Sequence, residues 1–462
     1  MSEDTPTKPA FKARLLKLLR LCTRPVVMLP FLGTIGLILV ITLTVLLPQN
    51  VHSIEIPGAD NNHNYLVAVS HFPLTDSTKK DPYRPEQDRR IMVSLYMPVP
   101  RKQCSAMGQQ KYMPPQTAKI ANEQFIEGNE RDAGVFEAMT YSSCISSSSG
   151  GGGDVSKVPV VVLEPHVDTS RLMYSTMARY IAANGAAVVV IDHPGDASVV
   201  QFTSSRTRDL EIVYNSGTVP LSNLSPLTQY NETVETAVET RISDIAFTLG
   251  QINSTSLLQR QFPNLHFTGS LNTDTYGIIG HGLGGTVATS LGLFPSLLSG
   301  TNSTNSRNTT NSPTASFSIS LSGTPPLLNT STNNTPLFFF GRADFRREHD
   351  INWPTTWSHL TGPATEFDLD DSAVLDASDL PLIMELAREE GGKTGVLARG
   401  LSGNRPAEGA RAVICFLENV VKEMVGLEGQ GRNVGDCVRG FGGVRPYPGY
   451  GKVRWWGLCG WR

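Results

Sequence analysis

The stretch GIIGHGLGGTVA, residues 277–288, decides how this chain is read. An apolar run ending at Ile279 leads into Gly280-His281-Gly282-Leu283-Gly284-Gly285, and a helix-forming run follows from Thr286. Strand, tight glycine turn and helix in that order make the G-x-S-x-G arrangement, which lifts a nucleophile to the N-terminus of a helix. Here the residue in the serine's place is Gly282, and no other G-x-S-x-G occurs in the chain. The same letters satisfy G-x-G-x-x-G through Gly280, Gly282 and Gly285, a turn that would cradle a phosphate. That alternative fits less well. The turn comes after two earlier strand–helix units, and no acidic residue stands about 20 positions further on, where a dinucleotide site holds its ribose.

Outward from this stretch, strands alternate with helices. Asn64–Ser70 and Arg90–Met97 read as early antiparallel strands. KVPVVVLEP (157–165) and AAVVVID (186–192) are continuous β-branched runs of the kind buried in parallel sheets. Between them SRLMYSTMARYIAANG (170–185) has helical character and ends on Gly185, a natural helix stop. Asn231–Gln251 and Thr286–Leu293 are predicted helices; Thr275–Ile279, Ser316–Leu321, Pro336–Phe340 and Glu366–Leu369 are predicted strands. The alternation predicts an α/β class: an α/β-hydrolase fold with a doubly wound, mostly parallel sheet.

The N-terminus predicts a membrane segment ahead of that fold. Residues 26–47 carry no charge over 22 positions, and about 20 apolar residues suffice to cross a bilayer as a helix. Lys8, Lys12, Arg14, Lys17, Arg20 and Arg24 precede it against Glu3 and Asp4, so the N-terminus is expected in the cytosol. A cleaved signal peptide is the alternative, but it would have a shorter apolar region and a small-residue cleavage site, which PQNVHS does not supply. The expected organisation is a cytosolic basic segment (1–24), a transmembrane signal anchor (25–48), a stalk (49–63), a hydrolase domain (64–425) and a glycine-rich tail (426–462) read as disordered. This describes a type II membrane protein with a lumenal or extracellular domain, or, with cleavage, a secreted one.

N-x-[ST] sequons at Asn223, Asn231, Asn253, Asn302, Asn308, Asn329 and Asn333 all lie beyond the anchor and cluster in polar stretches expected as surface loops. In an oxidising compartment Cys104 and Cys144 would pair, with two free thiols as the alternative. The six cysteines contain no C-x2-C, so no zinc module is expected. The formal net charge of -3 and only 18% charged residues exclude the basic stripe of a nucleic-acid binder. Protein partners cannot be read from the sequence.

Several further segments resemble the platelet-activating factor acetylhydrolase family, particularly its fungal branch. They are IMVSLYMPV (91–99), YMPPQTAKIANEQF (112–125), the run from Ser170 to Phe202, RISDIAFTLGQI (241–252), GIIGHGLGGTVA (277–288), PLFFFGRADFR (336–346) and SDLPLI (378–383). The resemblance spans roughly residues 65–425. It implies hydrolysis of the short acyl group at the middle position of an ether phospholipid by a serine–histidine–aspartate triad, without metal or other cofactor.

The departures from that family bear directly on chemistry. A serine esterase needs a nucleophile, a base and an acid that orients the base. The family serine maps onto Gly282. The family histidine maps near Val374, yet no histidine follows His359. The acid maps onto Ser322, with Asp344 as the alternative where many other α/β-hydrolases keep theirs. The oxyanion-hole donors map onto Leu283, after the nucleophile position, and onto the loop Pro165-His166-Val167-Asp168, where an aspartate would oppose a developing negative charge. His281 or His166 as a substitute base is a weak alternative, and His193 of IDHP is expected to be structural. Two functions follow: a membrane-anchored esterase of this family, or a non-catalytic lipid-binding or scaffolding protein that keeps the fold.

Overall fold

The computed structural model describes residues 53–58, 62–127, 134–148, 153–202, 211–215, 232–298, 313–330, 334–369, 372–391, 397–401, 406–426 and 444–446. The expected membrane segment and basic leader, and the sequons at Asn223, Asn231, Asn302, Asn308 and Asn333, lie outside these residues. Among the described residues no helix is long and apolar enough to cross a membrane.

The β-branched runs become the strands of one nine-stranded sheet. In chain order these are β1 (Tyr65–Lys80), β2 (Asp88–Pro100), β3 (Val160–Glu164), β4 (Ala187–Asp192), β5 (Thr275–His281), β6 (Thr314–Leu321), β7 (Leu337–Arg342), β8 (Ala364–Leu369) and β9 (Val444–Pro446). Their spatial order is β9-β8-β7-β6-β5-β3-β4-β2-β1. Strands β3 to β8 run parallel. At one edge β2 and β1 are antiparallel, and at the other β9 is antiparallel to β8. Strand β9 lies within the expected tail, of which only Val444–Pro446, besides Gly426, is among the described residues.

Both faces of the sheet are covered, which is why the central strands read as unbroken apolar runs rather than alternating ones. Val161 and Leu163 of β3 face one layer with Met177 and Ile181 of α1 (Ser175–Ala183). Val160 and Val162 face the other, with Ile242 and Leu249 of α2 (Glu232–Ile252) and Val287 and Leu291 of α3 (Leu283–Leu293). The first layer is completed by α4 (Leu380–Glu389) and α5 (Pro406–Met424) through Leu380, Ile383, Val413 and Phe416. All eleven residues of α3 are buried, so this helix contributes to the core on every side. Truncating Leu291 to alanine there should cost about 2–5 kcal/mol.

A second, three-stranded sheet joins Ile54–Glu55, Met139–Ser147 and Cys104–Lys111. It was not legible because CSAMGQQK and MTYSSCISS are polar, without a clean period of two. Part of the expected stalk is therefore strand, with Ile54 and Ile56 buried. Cys104 and Cys144 are disulfide-bonded across this sheet, with Cα atoms 6.0 Å apart. Cys415 on α5 is disulfide-bonded as well.

Candidate active site

The chain leaves β5 at His281, turns at Gly282 and enters α3 at Leu283. Gly282 has φ 53° and ψ -116°, a left-handed conformation that costs a side-chain-bearing residue strain. Its N–H donates to Leu321 O at 2.8 Å, and its carbonyl accepts from Thr286 N at 3.1 Å, which starts the helix. Gly280 has no room for a side chain either: a Cβ there would run into the backbone of Gly284 and come within 2.6 Å of Gly285 N. The glycine spacing of the motif thus follows from how closely α3 folds back over β5.

The apex is occupied from an unexpected side. A Cβ built on Gly282 would fall inside the ring of His166, with Cγ at 2.8 Å and Cδ2 and Nε2 closer still. His166 follows β3 on the loop expected to carry the second oxyanion donor. It is 1% exposed, and its Nδ1 lies 2.7 Å from Val167 O, so Nδ1–H donates to that carbonyl. Burial, against the opposing pull of that hydrogen bond, holds its pKa down at about 4, which keeps the ring neutral at pH 7.

His281 packs edge-on against His166, ring centroids 4.9 Å apart. Its Nδ1 is 2.8 Å from the Tyr174 hydroxyl, which in turn accepts the His166 N–H at 3.0 Å. The other nitrogen, Nε2, is enclosed and makes no hydrogen bond of good geometry, with the backbone of Val374 near the ring. Burial holds His281 well below the usual histidine range. It is a packed neutral ring, not a base.

Val374 thus sits against the elbow histidine on a half-buried loop before α4. Ser322 follows β6 with φ 56°, buried, its N–H on Phe340 O at 2.8 Å. The next residue, Gly323, lies so close to the elbow that a Cβ there would meet Gly282 O at 2.6 Å. Asp344 is placed differently. Its side chain is 71% exposed and accepts from Arg342 Nε at 2.7 Å, so it orients no histidine. Among the described residues neither Val167 N–H nor Leu283 N–H donates a hydrogen bond. Asp168 has φ 56°, and its carboxylate is held by Asn215 Nδ2 at 2.9 Å and Gln124 Nε2 at 3.1 Å; burial raises its pKa.

Behind the His166 loop lies a buried charge network that the sequence reading did not assemble. His193 Nδ1 is 2.8 Å from Asp244 and its Nε2 2.9 Å from Glu164, the last residue of β3. Burial alone would lower His193, but these two carboxylates raise it to about 9, so it is an imidazolium. Arg241 holds Asp196 through two bonds of 2.8 Å and donates to Pro165 O at 2.6 Å, next to His166. Arg89 ties Asp244, Asp81 and the carbonyl of Pro194 together. The sequence signal was there: RISD (241–244) carries a cation and an anion on one helical turn, and IDHP with Asp196 supplies their partners. The network fixes the loop position; among the described residues no group of His, Cys, Asp and Glu side chains is arranged to hold a metal ion.

The family model for platelet-activating factor acetylhydrolase, isoform II, matches residues 80–354, more than half of the chain. The chain belongs to that family. A protein from Arthroderma benhamiae (strain ATCC MYA-4681 / CBS 112371), named "Probable 1-alkyl-2-acetylglycerophosphocholine esterase", is 29% identical over 223 residues. That match covers 47% of this chain and 50% of the relative, so the chain spans about half the length of the curated relative it matches. A ferulic acid esterase from Streptomyces cinnamoneus superposes with a TM-score of 0.57 at 16% identity, covering 85% of this chain and 99% of that one. The latter shows the α/β-hydrolase-like fold of this acetylhydrolase family member and nothing finer.

Proposed function

We propose that this chain is a platelet-activating factor acetylhydrolase-type protein that binds a short-acyl phospholipid ester and has given up serine hydrolysis. It would be held to a membrane of the secretory pathway by residues 26–47, with the acetylhydrolase-type domain on the lumenal or extracellular side. The observation that carries the reading is the elbow itself: Gly282 has no side chain, and the His166 ring stands where one would be. Further support comes from the absence of any histidine beyond His359 and from the commitment of Asp344 to Arg342. Removing a whole triad lowers turnover by about 10⁶-fold in a serine protease. Two oxyanion-type N–H groups and an apolar interior would still recognise an ester carbonyl.

The test uses the full chain in detergent. Expected results are binding to vesicles carrying a short-chain ether phospholipid, no release of the short acyl group, and no labelling by a fluorophosphonate. Labelling of a serine, or phospholipid turnover abolished by mutating one, would replace this reading with that of an active esterase.

A further inference from the structure

His166 does more than fill space. The geometry points to His166 Nε2 as a nucleophile in its own right, accepting short acyl groups from activated esters at the place a serine hydroxyl would hold. This deepens the reading above: serine chemistry is gone, and a weaker imidazole chemistry stands in the same volume.

Three observations carry it. First, Nδ1–H is committed to Val167 O at 2.7 Å, which leaves the lone pair of the neutral ring on Nε2. Second, Nε2 has no partner among the described residues. Unlike His281 Nε2 it is not one of the fully enclosed polar atoms, although the His166 residue as a whole is only 1% exposed. Third, it lies beside the start of α3, where Leu283 N–H and the adjoining Val167 N–H are both unengaged. Backbone donors at that place stabilise an oxyanion formed on an attacked carbonyl.

In the acylation step the Nε2 lone pair forms a C–N bond to the acyl carbon. The C–O bond to the leaving group breaks, and an aryl oxide departs with the electron pair. The acylimidazolium keeps its Nδ1 proton on the Val167 carbonyl. Water then adds to the acyl carbon, the C–N bond breaks with its electron pair returning to Nε2, and a carboxylate and two protons are released to solvent. A ring of such low basicity displaces good leaving groups only, so the substrate class is aryl or similarly activated short-acyl esters, not phospholipids.

The groups facing the ring are His281 at the end of β5, Arg342 at the end of β7, Arg241 of α2 and Asp196 after β4. Burial first, then Arg342 and Arg241, hold the imidazole neutral down to about pH 4, against the Val167 carbonyl bond and Asp196, which both favour the charged ring. Turnover should therefore be level through neutral pH and fall only as pH approaches about 4, below the range in which free imidazole loses activity.

The experiment measures nitrophenyl acetate hydrolysis by the full chain in detergent. The rate should fall on the order of 10²-fold in His166→Ala, the scale at which a positioned imidazole acts. His166→Gln fills the same volume without a nucleophilic nitrogen and should lose the same rate while keeping the thermal unfolding of the native chain. Acid-quenched native chain should carry acetyl on the peptide containing His166, a readout that needs no variant to fold. Turnover no faster than equal free imidazole, undiminished turnover in folded His166→Gln, or acetyl only on another residue would overturn the assignment. Fluorophosphonate labelling and phospholipid release read the serine question separately, so the two conclusions fail independently.

Discussion

The ring of His166 and the missing side chain of Gly282 share one volume: any Cβ at 282 would fall within the imidazole. The two positions are a coupled pair.

Restoring one member alone should therefore fail. Gly282→Ser meets the ring and must adopt φ 53°, with strain of about 1–3 kcal/mol before any overlap is counted. A lower melting temperature and no release of the short acyl group from phospholipid are expected. Adding His166→Gly should recover much of the stability, with a coupling of at least about 1 kcal/mol in a double-mutant cycle. Simple additivity of the two changes would show that the rings and elbow do not compete.

The His193 imidazolium makes stability depend on alkaline pH. Its folded pKa, about 9, lies above the ordinary 6.5, so its contribution is complete below about pH 6.5 and is lost as pH rises through 9. Denaturant midpoints should fall across that window. His193→Gln should flatten the profile and cost about 3–5 kcal/mol near neutrality, because Glu164 and Asp244 stay buried without their cation. An unchanged midpoint from pH 6.5 to 9 would contradict the charged assignment.

Glu366 on β8 gives the opposite kind of handle. Burial raises its carboxyl to about 7, with Arg347 Nη1 at 3.4 Å only partly offsetting it. The folded state keeps the proton while the unfolded chain gives it up, so stability declines as pH rises from 4.5 to 7 and stays lower above. Glu366→Gln should be stabilising at pH 8 and nearly neutral at pH 5. Equal effects at both pH values would rule this out.

Breaking the Cys104–Cys144 bridge with paired serines frees a loop of 40 residues. The chain-entropy relation puts the loss at about 4 kcal/mol, read as a shift of the denaturation midpoint relative to the native chain under non-reducing conditions.

Asn253 and Asn329 are exposed sequons on the described surface. If the domain is lumenal, glycosidase should increase the electrophoretic mobility of the expressed protein, and Asn253→Gln or Asn329→Gln should each remove part of the shift. Mobility unaffected by glycosidase would speak against the lumenal placement.

The residues alone determined the strand–turn–helix at 275–293 and the parallel core, because β-branched runs and glycine spacing are local properties. They also determined that Gly282 cannot attack and that no histidine stands after residue 359. Local pattern failed for the small polar sheet, whose strands are specified by pairing and a disulfide rather than by hydrophobic period. It failed again for the edge strand at Val444–Pro446, whose backbone pairing with β8 no composition announces. The meeting of His166 with Gly282 belonged to tertiary structure. Those two residues lie at the ends of adjacent strands, β3 and β5, more than a hundred positions apart in the chain, and only the parallel register that aligns Gly280 with Glu164 brings them together.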